Sequence, residues 1–73
     1  MPYLKVPNYR ETGESDFRFA TVEEVQAALP EGIDATVDMD LNYPCVQFPK
    51  GTAYETVKAV EKALNEAGFE AYI

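Results

Sequence analysis

The chain has 73 residues, of which 47% are hydrophobic and 26% are charged, and its formal net charge at pH 7 is -7. A chain of this length supports one small domain, and its composition is that of a folded globule rather than of a disordered segment. It contains no run of about 18 apolar residues, which excludes a membrane-spanning helix. It also lacks a basic segment followed by an apolar run, so we expect no signal peptide.

The acidic residues are concentrated in one third of the chain. The net charge of residues 1–18 is zero and that of residues 43–73 is -1. Residues 19–42 carry a net charge of -6 and contain no basic residue. The acids of this segment are Glu23, Glu24, Glu31, Asp34, Asp38 and Asp40. Phosphate contacts need clustered Lys and Arg, so direct binding to nucleic acid or to an anionic membrane is disfavoured. A cationic partner is favoured instead.

The N-terminal residues 1–16 predict an extended arm or an extra strand. Leu4 and Val6 are followed by Pro7 and by a polar cluster around Gly13, which is typical of an extended segment that ends in a loop. The next segment, "DFRF" at 16–19, predicts a short strand with both phenylalanines on its inward face. We therefore divide the chain into an arm or extra strand at 1–16 and a folded domain at 17–73.

A first helix is predicted over residues 21–30. Thr21 and Glu24 have the spacing of a capping box, in which each side chain binds the other residue's free backbone N–H. Val25 and Leu29 belong to its apolar stripe, and Pro30 with the nearby glycine ends it.

Two strands are predicted next. Residues 33–41, "IDATVDMDL", alternate apolar and polar positions without a break, which is typical of a half-buried strand. A turn at 42–44 leads to a strand at 45–49, with Val46 and Phe48 on its inward face.

A second helix is predicted over residues 53–67, and a last strand over residues 69–73. Thr52 and Glu55 suggest a second capping box, and Gly68 is suited to the left-handed position that ends a helix. The last strand places Phe69, Ala71 and Ile73 on the inward face.

This order of elements, strand, helix, strand, strand, helix, strand, predicts an α+β ferredoxin-like βαββαβ fold. Its four-stranded antiparallel sheet carries both helices on one face, and the aspartate strand and the last strand are the edges. The residues expected on the opposite face are Arg18, Asp34, Thr36, Asp38, Asp40, Cys45, Gln47, Glu70 and Tyr72.

From Phe17 to the end, the chain resembles a heavy-metal-associated domain. "VEEVQAALPEGIDATVDMD" is similar to that family's first helix, loop and second strand, and "AVEKALNEAGFEAYI" is similar to its last helix and last strand. The resemblance implies the ferredoxin-like fold. The family holds a soft metal with a CxxC pair at the start of the first helix, where "FATVEE" stands here. Thiolates select such metals. The absence of the CxxC pair from this position therefore counts against metal transport.

Catalysis and metal binding are poorly supported by the residues present. The chain has no histidine, and Cys45 is its single cysteine, so thiolate catalysis and a zinc site lack their usual partners. Asp38, Asp40 and Asn42 match the start of an EF-hand loop, but Tyr43 and Pro49 replace its required Gly and Glu. We expect no enzyme activity and no cofactor. The absence of a disulfide framework favours a cytoplasmic location, which is the host cytoplasm if the protein is virus-encoded.

The aspartate row has two interpretations. It is either the solvated face of an edge strand, charged to prevent aggregation, or a functional acidic surface. Strand residues two apart are separated by roughly 6.6 to 6.8 Å, which is similar in order to the distance between phosphates along a nucleic acid. The residues we expect to bind a partner are Asp34, Asp38 and Asp40, with Glu31, Glu23 and Glu24 in support and Tyr43 and Tyr72 as aromatic anchors.

These features favour a small acidic interaction protein that occupies the basic nucleic-acid-binding groove of a larger protein. A compact acidic chain without catalytic residues is typical of virus-encoded inhibitors, including those aimed at CRISPR–Cas or transcription complexes. The alternatives are a regulatory or metal-handling domain derived from the heavy-metal-associated family without its cysteine pair, and a small-ligand-binding regulatory domain. A homodimer formed through the last strand stays open, although repulsion between copies opposes it.

Overall fold

The structure is a computed structural model that describes residues 3–10, 16–40 and 42–73. In this part of the chain it has an α+β fold with two helices and an antiparallel sheet, which confirms the predicted class. The elements are β1 (Tyr3–Tyr9), β2 (Arg18–Phe19), α1 (Val22–Ala28), β3 (Thr36–Asp40), β4 (Tyr43–Gln47), α2 (Tyr54–Glu66) and β5 (Phe69–Tyr72).

β1 is the strand with the most neighbours. It pairs antiparallel with β4, through Leu4 and Val46, and with β5, through Tyr9 and Phe69. Its last residues also pair with the short β2. β3 pairs antiparallel with β4 along its whole length. Within the described residues β3 and β5 each have one neighbouring strand, so both are edges of the sheet.

One hydrophobic cluster joins the sheet to both helices. Its fully buried members include Leu4, Val6 and Val46 from the sheet, Val25 from α1 and Val60 from α2. The sheet residues alternate with more exposed neighbours, so they project from one side of the sheet. We call this side the core face and the opposite side the open face.

Helix α1 begins as predicted. Thr21 is its N-cap, and the capping box with Glu24 is present in both directions. The Glu24 N–H donates to Thr21 Oγ1 at 3.2 Å, and the Thr21 N–H donates to Glu24 Oε1 at 3.1 Å. The predicted end at residue 30 was wrong by two residues: the helix ends at Ala28, and Leu29 is already extended, because a residue before a proline is disfavoured in the helical conformation.

Helix α2 confirms the predicted second helix, but the prediction of its cap was wrong. Ala53 is the N-cap, and its side chain cannot accept a hydrogen bond, so no side chain caps the helix. Thr52 lies one residue before the N-cap, and its hydroxyl donates to the Pro49 carbonyl at 2.7 Å. The prediction that Gly68 takes the left-handed position at the end of α2 is confirmed. Gly68 directly follows the last turn and has a φ of 106°.

The strand predicted at "DFRF" was wrong in extent and in burial. β2 has two residues, and the side chains of Phe17 and Phe19 are 46% and 78% exposed.

The strand β1, Tyr3–Tyr9, lies between β4 and β5 in the sheet. Pro7 does not break this strand, because it lies where the pairing with β5 shifts register between Lys5 and Asn8, and such irregularities tolerate a residue without an N–H.

The predicted hairpin was wrong at its boundaries. Residues 33–35 precede β3, so Asp34 lies outside the strand, and β4 begins at Tyr43 rather than after the predicted turn. Two apolar residues expected in the core are instead more than half exposed, namely Met39 at 54% and Ile73 at 54%. Leu41, expected at the strand end, and the loop expected around Gly13 lie outside the described residues.

Neither of the two helices in the described part of the chain is long and apolar enough to cross a membrane.

Candidate functional site

Asp38 and Asp40 form an exposed acidic pair on the edge strand β3, and we call this pair with Met39 between them the acidic edge. Val37 is 4% exposed and packs in the core, so the alternation of the strand directs both aspartates to the open face. Both aspartates are exposed. Because they are two residues apart on a regular strand, their side chains leave the sheet in the same direction.

The neighbouring strand β4 supplies Tyr43 opposite Asp40 and Cys45 opposite Asp38. The prediction that Cys45 is an outward residue was wrong with respect to exposure, since the side chain lies on the open face but is 1% exposed. Its Sγ donates to Asp40 Oδ2 at 3.7 Å. Burial raises the pKa of Cys45, and the negative charge of Asp40 adds to the rise, so the thiol stays protonated.

Lys5 is the cation closest in register to the acidic edge, and it is directed toward another partner. It pairs with Cys45 on one side and with Tyr72 on the other, and its Nζ lies 6.0 Å from the centre of the Tyr72 ring. One strand therefore separates Lys5 from Asp38, a distance of about 9 to 10 Å across the sheet. Lys5 therefore makes no ion pair with Asp38 or Asp40.

Asp34 and Glu31 lie before β3, where the backbone is not part of the sheet. Both are exposed. Asp34 lines an open depression of about 230 Å³ together with Thr36 and Gln47. The carboxylates of Asp34 and Glu31 make no hydrogen bond or ion pair with any residue that the structure describes.

Glu23 and Glu24 lie on α1, which packs against the core face, so the structure does not place them beside Asp38 and Asp40. Glu24 accepts hydrogen bonds from both Nη atoms of Arg18, at 3.0 and 2.5 Å. The bond to Arg18 is the main reason that the pKa of Glu24 is lowered to about 2. Arg18 therefore compensates the charge of Glu24, while Glu23 is exposed.

The exposure of Met39 was not expected from the sequence. It lies on the core face of β3, two residues from the buried Val37, yet it is 54% exposed. Met39 lies on an edge strand, where among the described strands only β4 flanks it, so its side chain is open on one side.

No group of three or more Cys, Asp and Glu side chains in residues 3–10, 16–40 and 42–73 is arranged to hold a metal ion. The site therefore offers separate carboxylates on an open surface, which suits electrostatic contact with a cationic partner. Comparison of the chain with protein-family models, with curated proteins and with solved structures gives no match.

Proposed function

We propose that this protein is a small interaction protein whose acidic edge binds a basic surface of a larger protein, as an inhibitor that occupies a nucleic-acid-binding groove. The observation that carries the proposal is the placement of Asp38 and Asp40, which are exposed, two residues apart on an edge strand, and without an ion pair to any described residue. A line of carboxylates on an open face presents charge at spacings comparable to those of a phosphate backbone.

The contrast with other acids of the chain supports this assignment. Glu24 is bound to Arg18 and Glu61 to Lys58, at 2.5 and 2.7 Å, so part of the charge outside β3 is compensated within the molecule. Asp38 has no such cation among the residues that the structure describes. Uncompensated charge on an open surface steers association with an oppositely charged partner.

For the fold we propose the ferredoxin-like arrangement, with β1 rather than residues 16–19 as its first strand. β1, α1, β3, β4, α2 and β5 follow one another in the chain. The pairing of β1 with β4 and β5, and of β3 with β4, supports this arrangement. β2 is then an addition to the fold. A relationship to heavy-metal-associated domains is a proposal of the same kind and concerns the fold alone.

The proposal is tested by reversing the charges of the acidic edge. We expect wild-type protein to capture a nucleic-acid-binding protein from lysate and to inhibit its binding to a labelled oligonucleotide. Asp38→Lys with Asp40→Lys should weaken that inhibition at least tenfold, or about 1.4 kcal/mol. Both side chains point away from the core, so the variant should keep the circular dichroism spectrum of the wild type.

The matched control is Glu55→Lys with Glu66→Lys on α2, which changes the net charge by the same amount at two exposed positions. We expect this control to inhibit nearly as well as the wild type. Equal losses from both pairs would mean that the acidic edge is only a solvated edge of the sheet, and the proposal would be wrong.

A further inference from the structure

The second side of β3 is an unpaired strand edge. β3 pairs with β4 through all five of its residues, and no other strand of the described chain pairs with it. Backbone N–H and C=O groups on the free side of such a strand can pair with an added strand from another chain.

The core face at this edge is also incomplete. Met39 projects from the core face, two residues after the buried Val37, and its side chain is 54% exposed. Methionine adapts its shape to different apolar neighbours. A strand added beside β3 would carry the sheet past Met39 and place one of its own side chains against it.

The alternation of β3 specifies the chemistry of that added strand. Asp38 and Asp40 leave the sheet on the open face and Met39 leaves it on the core face. Residues opposite one another on paired strands lie on the same face, with Cβ atoms about 4.5 to 5.5 Å apart. An added strand therefore meets acid, apolar and acid positions in succession.

We propose that the free edge of β3 binds an extended segment of a partner protein in which basic and apolar residues alternate. Its Lys or Arg side chains pair with Asp38 and Asp40 on the open face, and its apolar side chain covers Met39 on the core face. The backbone of the segment bonds to β3 and extends the sheet. This inference rests on the proposed function and specifies how the basic partner is bound.

The same charges argue against a second copy of this chain as the occupant. Two β3 strands paired edge to edge place aspartates close to aspartates, and like charges opposite one another destabilise a sheet. The edge strand β5 is less suited to a basic segment. Its core-face residues Phe69 and Ala71 are already buried, at 5% and 6% exposure, and Glu70 accepts a hydrogen bond from Asn8 at 2.7 Å.

The test uses a short synthetic peptide of alternating arginine and valine and two N-methylated forms of it. In one form the backbone nitrogens of the arginines are methylated, and in the other those of the valines. N–H groups along a strand point alternately to its two sides, so only one of the two sets faces β3. Calorimetric titration of the intact protein should show that one methylated form binds at least tenfold more weakly than the unmodified peptide, while the other binds with nearly its affinity.

Variants of the protein separate this inference from the function on which it rests. We expect Asp38→Lys with Asp40→Lys to abolish peptide binding, Met39→Ser to weaken it several-fold, and Glu55→Lys with Glu66→Lys to leave it nearly unchanged. If both methylated forms bind alike and binding still needs Asp38 and Asp40, strand addition is wrong and the proposed function stands. The inference is overturned if the Asp38→Lys, Asp40→Lys variant binds the peptide as well as the wild type does. It is also overturned if the wild type shows no binding at millimolar peptide.

Discussion

The Glu24 side chain makes two kinds of contact: it caps the start of α1, and it forms an ion pair with Arg18. Its Oε1 accepts the Thr21 N–H at 3.1 Å and also an Nη hydrogen of Arg18 at 3.0 Å. The guanidinium of Arg18 in turn lies over the Tyr9 ring, with its Cζ 4.9 Å from the ring centre. Through these contacts one side chain ties the start of α1 to β2 and to the end of β1.

We expect Glu24→Gln to destabilise the protein at pH 7 by about 0.5 to 1 kcal/mol, because glutamine keeps the capping bond but loses the ion pair. The estimate is small because both side chains are partly exposed, at 44% and 31%. The pKa of Glu24 is lowered from 4.5 to about 2 in the folded protein. The stabilisation is therefore present above pH 4.5 and is lost as the pH falls toward 2.

Urea denaturation of the wild type and of Glu24→Gln over this pH range measures the effect. Comparing the two proteins removes the contribution of the other acids, which protonate in both. A difference in unfolding free energy that is as large at pH 2 as at pH 7 would show that the ion pair is not its source.

At the scale of elements, the end of α2 is held close to the end of β1. Gly68 follows α2 with a φ of 106°, and its carbonyl accepts the N–H of Arg10 at 2.9 Å. A Cβ added at this position would lie 2.6 Å from the Arg10 carbonyl oxygen. Glycine is therefore required both by the backbone conformation and by the close approach of the Arg10 backbone.

We expect Gly68→Ala to lower the free energy of unfolding by about 1 to 3 kcal/mol. Gly32→Ala is the matched control, because Gly32 also has a positive φ, of 81°, but nothing lies within 4 Å of an added Cβ. Gly32→Ala should lower the free energy of unfolding by less than Gly68→Ala does. Urea denaturation measures both losses. Equal losses would contradict the close packing of Gly68 against the end of β1.

The elements that the sequence predicts well are those with local signals. Thr21 and Glu24 mark the start of α1, and the apolar spacing with Gly68 marks α2. β1 was harder to predict because Pro7 suggests a break, whereas pairing with three other strands holds the segment in the sheet. Such pairing is non-local, and no pattern within residues 3–9 reports it.

The candidate site was predictable in its charges but not in its boundaries. Alternation correctly placed Asp38 and Asp40 on one exposed face. It also placed Met39 in the core and Asp34 on the strand, because alternation reports which face a residue points to and not how exposed the residue is on that face. The exposure of Met39 follows its place on an edge strand of the sheet, which no local pattern reports.

At the scale of the whole molecule, the chain carries a net charge of -7, and the two faces of its sheet present different chemistry. Both helices pack on the core face, and Met39 on that face is 54% exposed. The open face carries Asp38 and Asp40 at one edge. A segment of alternating basic and apolar residues beside β3 would cover Met39 and pair with both aspartates. Repulsion between identical acidic copies opposes self-association.

The most direct test of this account is an amide proton–nitrogen correlation spectrum of labelled protein, titrated with the alternating arginine–valine peptide. We predict that the largest shift changes fall on Thr36–Asp40, that smaller changes fall on Tyr43–Gln47, and that α2 is nearly unaffected. Raising the salt concentration should weaken the changes, because screening shortens the range of the charges. Changes that are largest on α2 or β5, or that spread evenly over the molecule, would contradict the assignment of β3 as the binding edge.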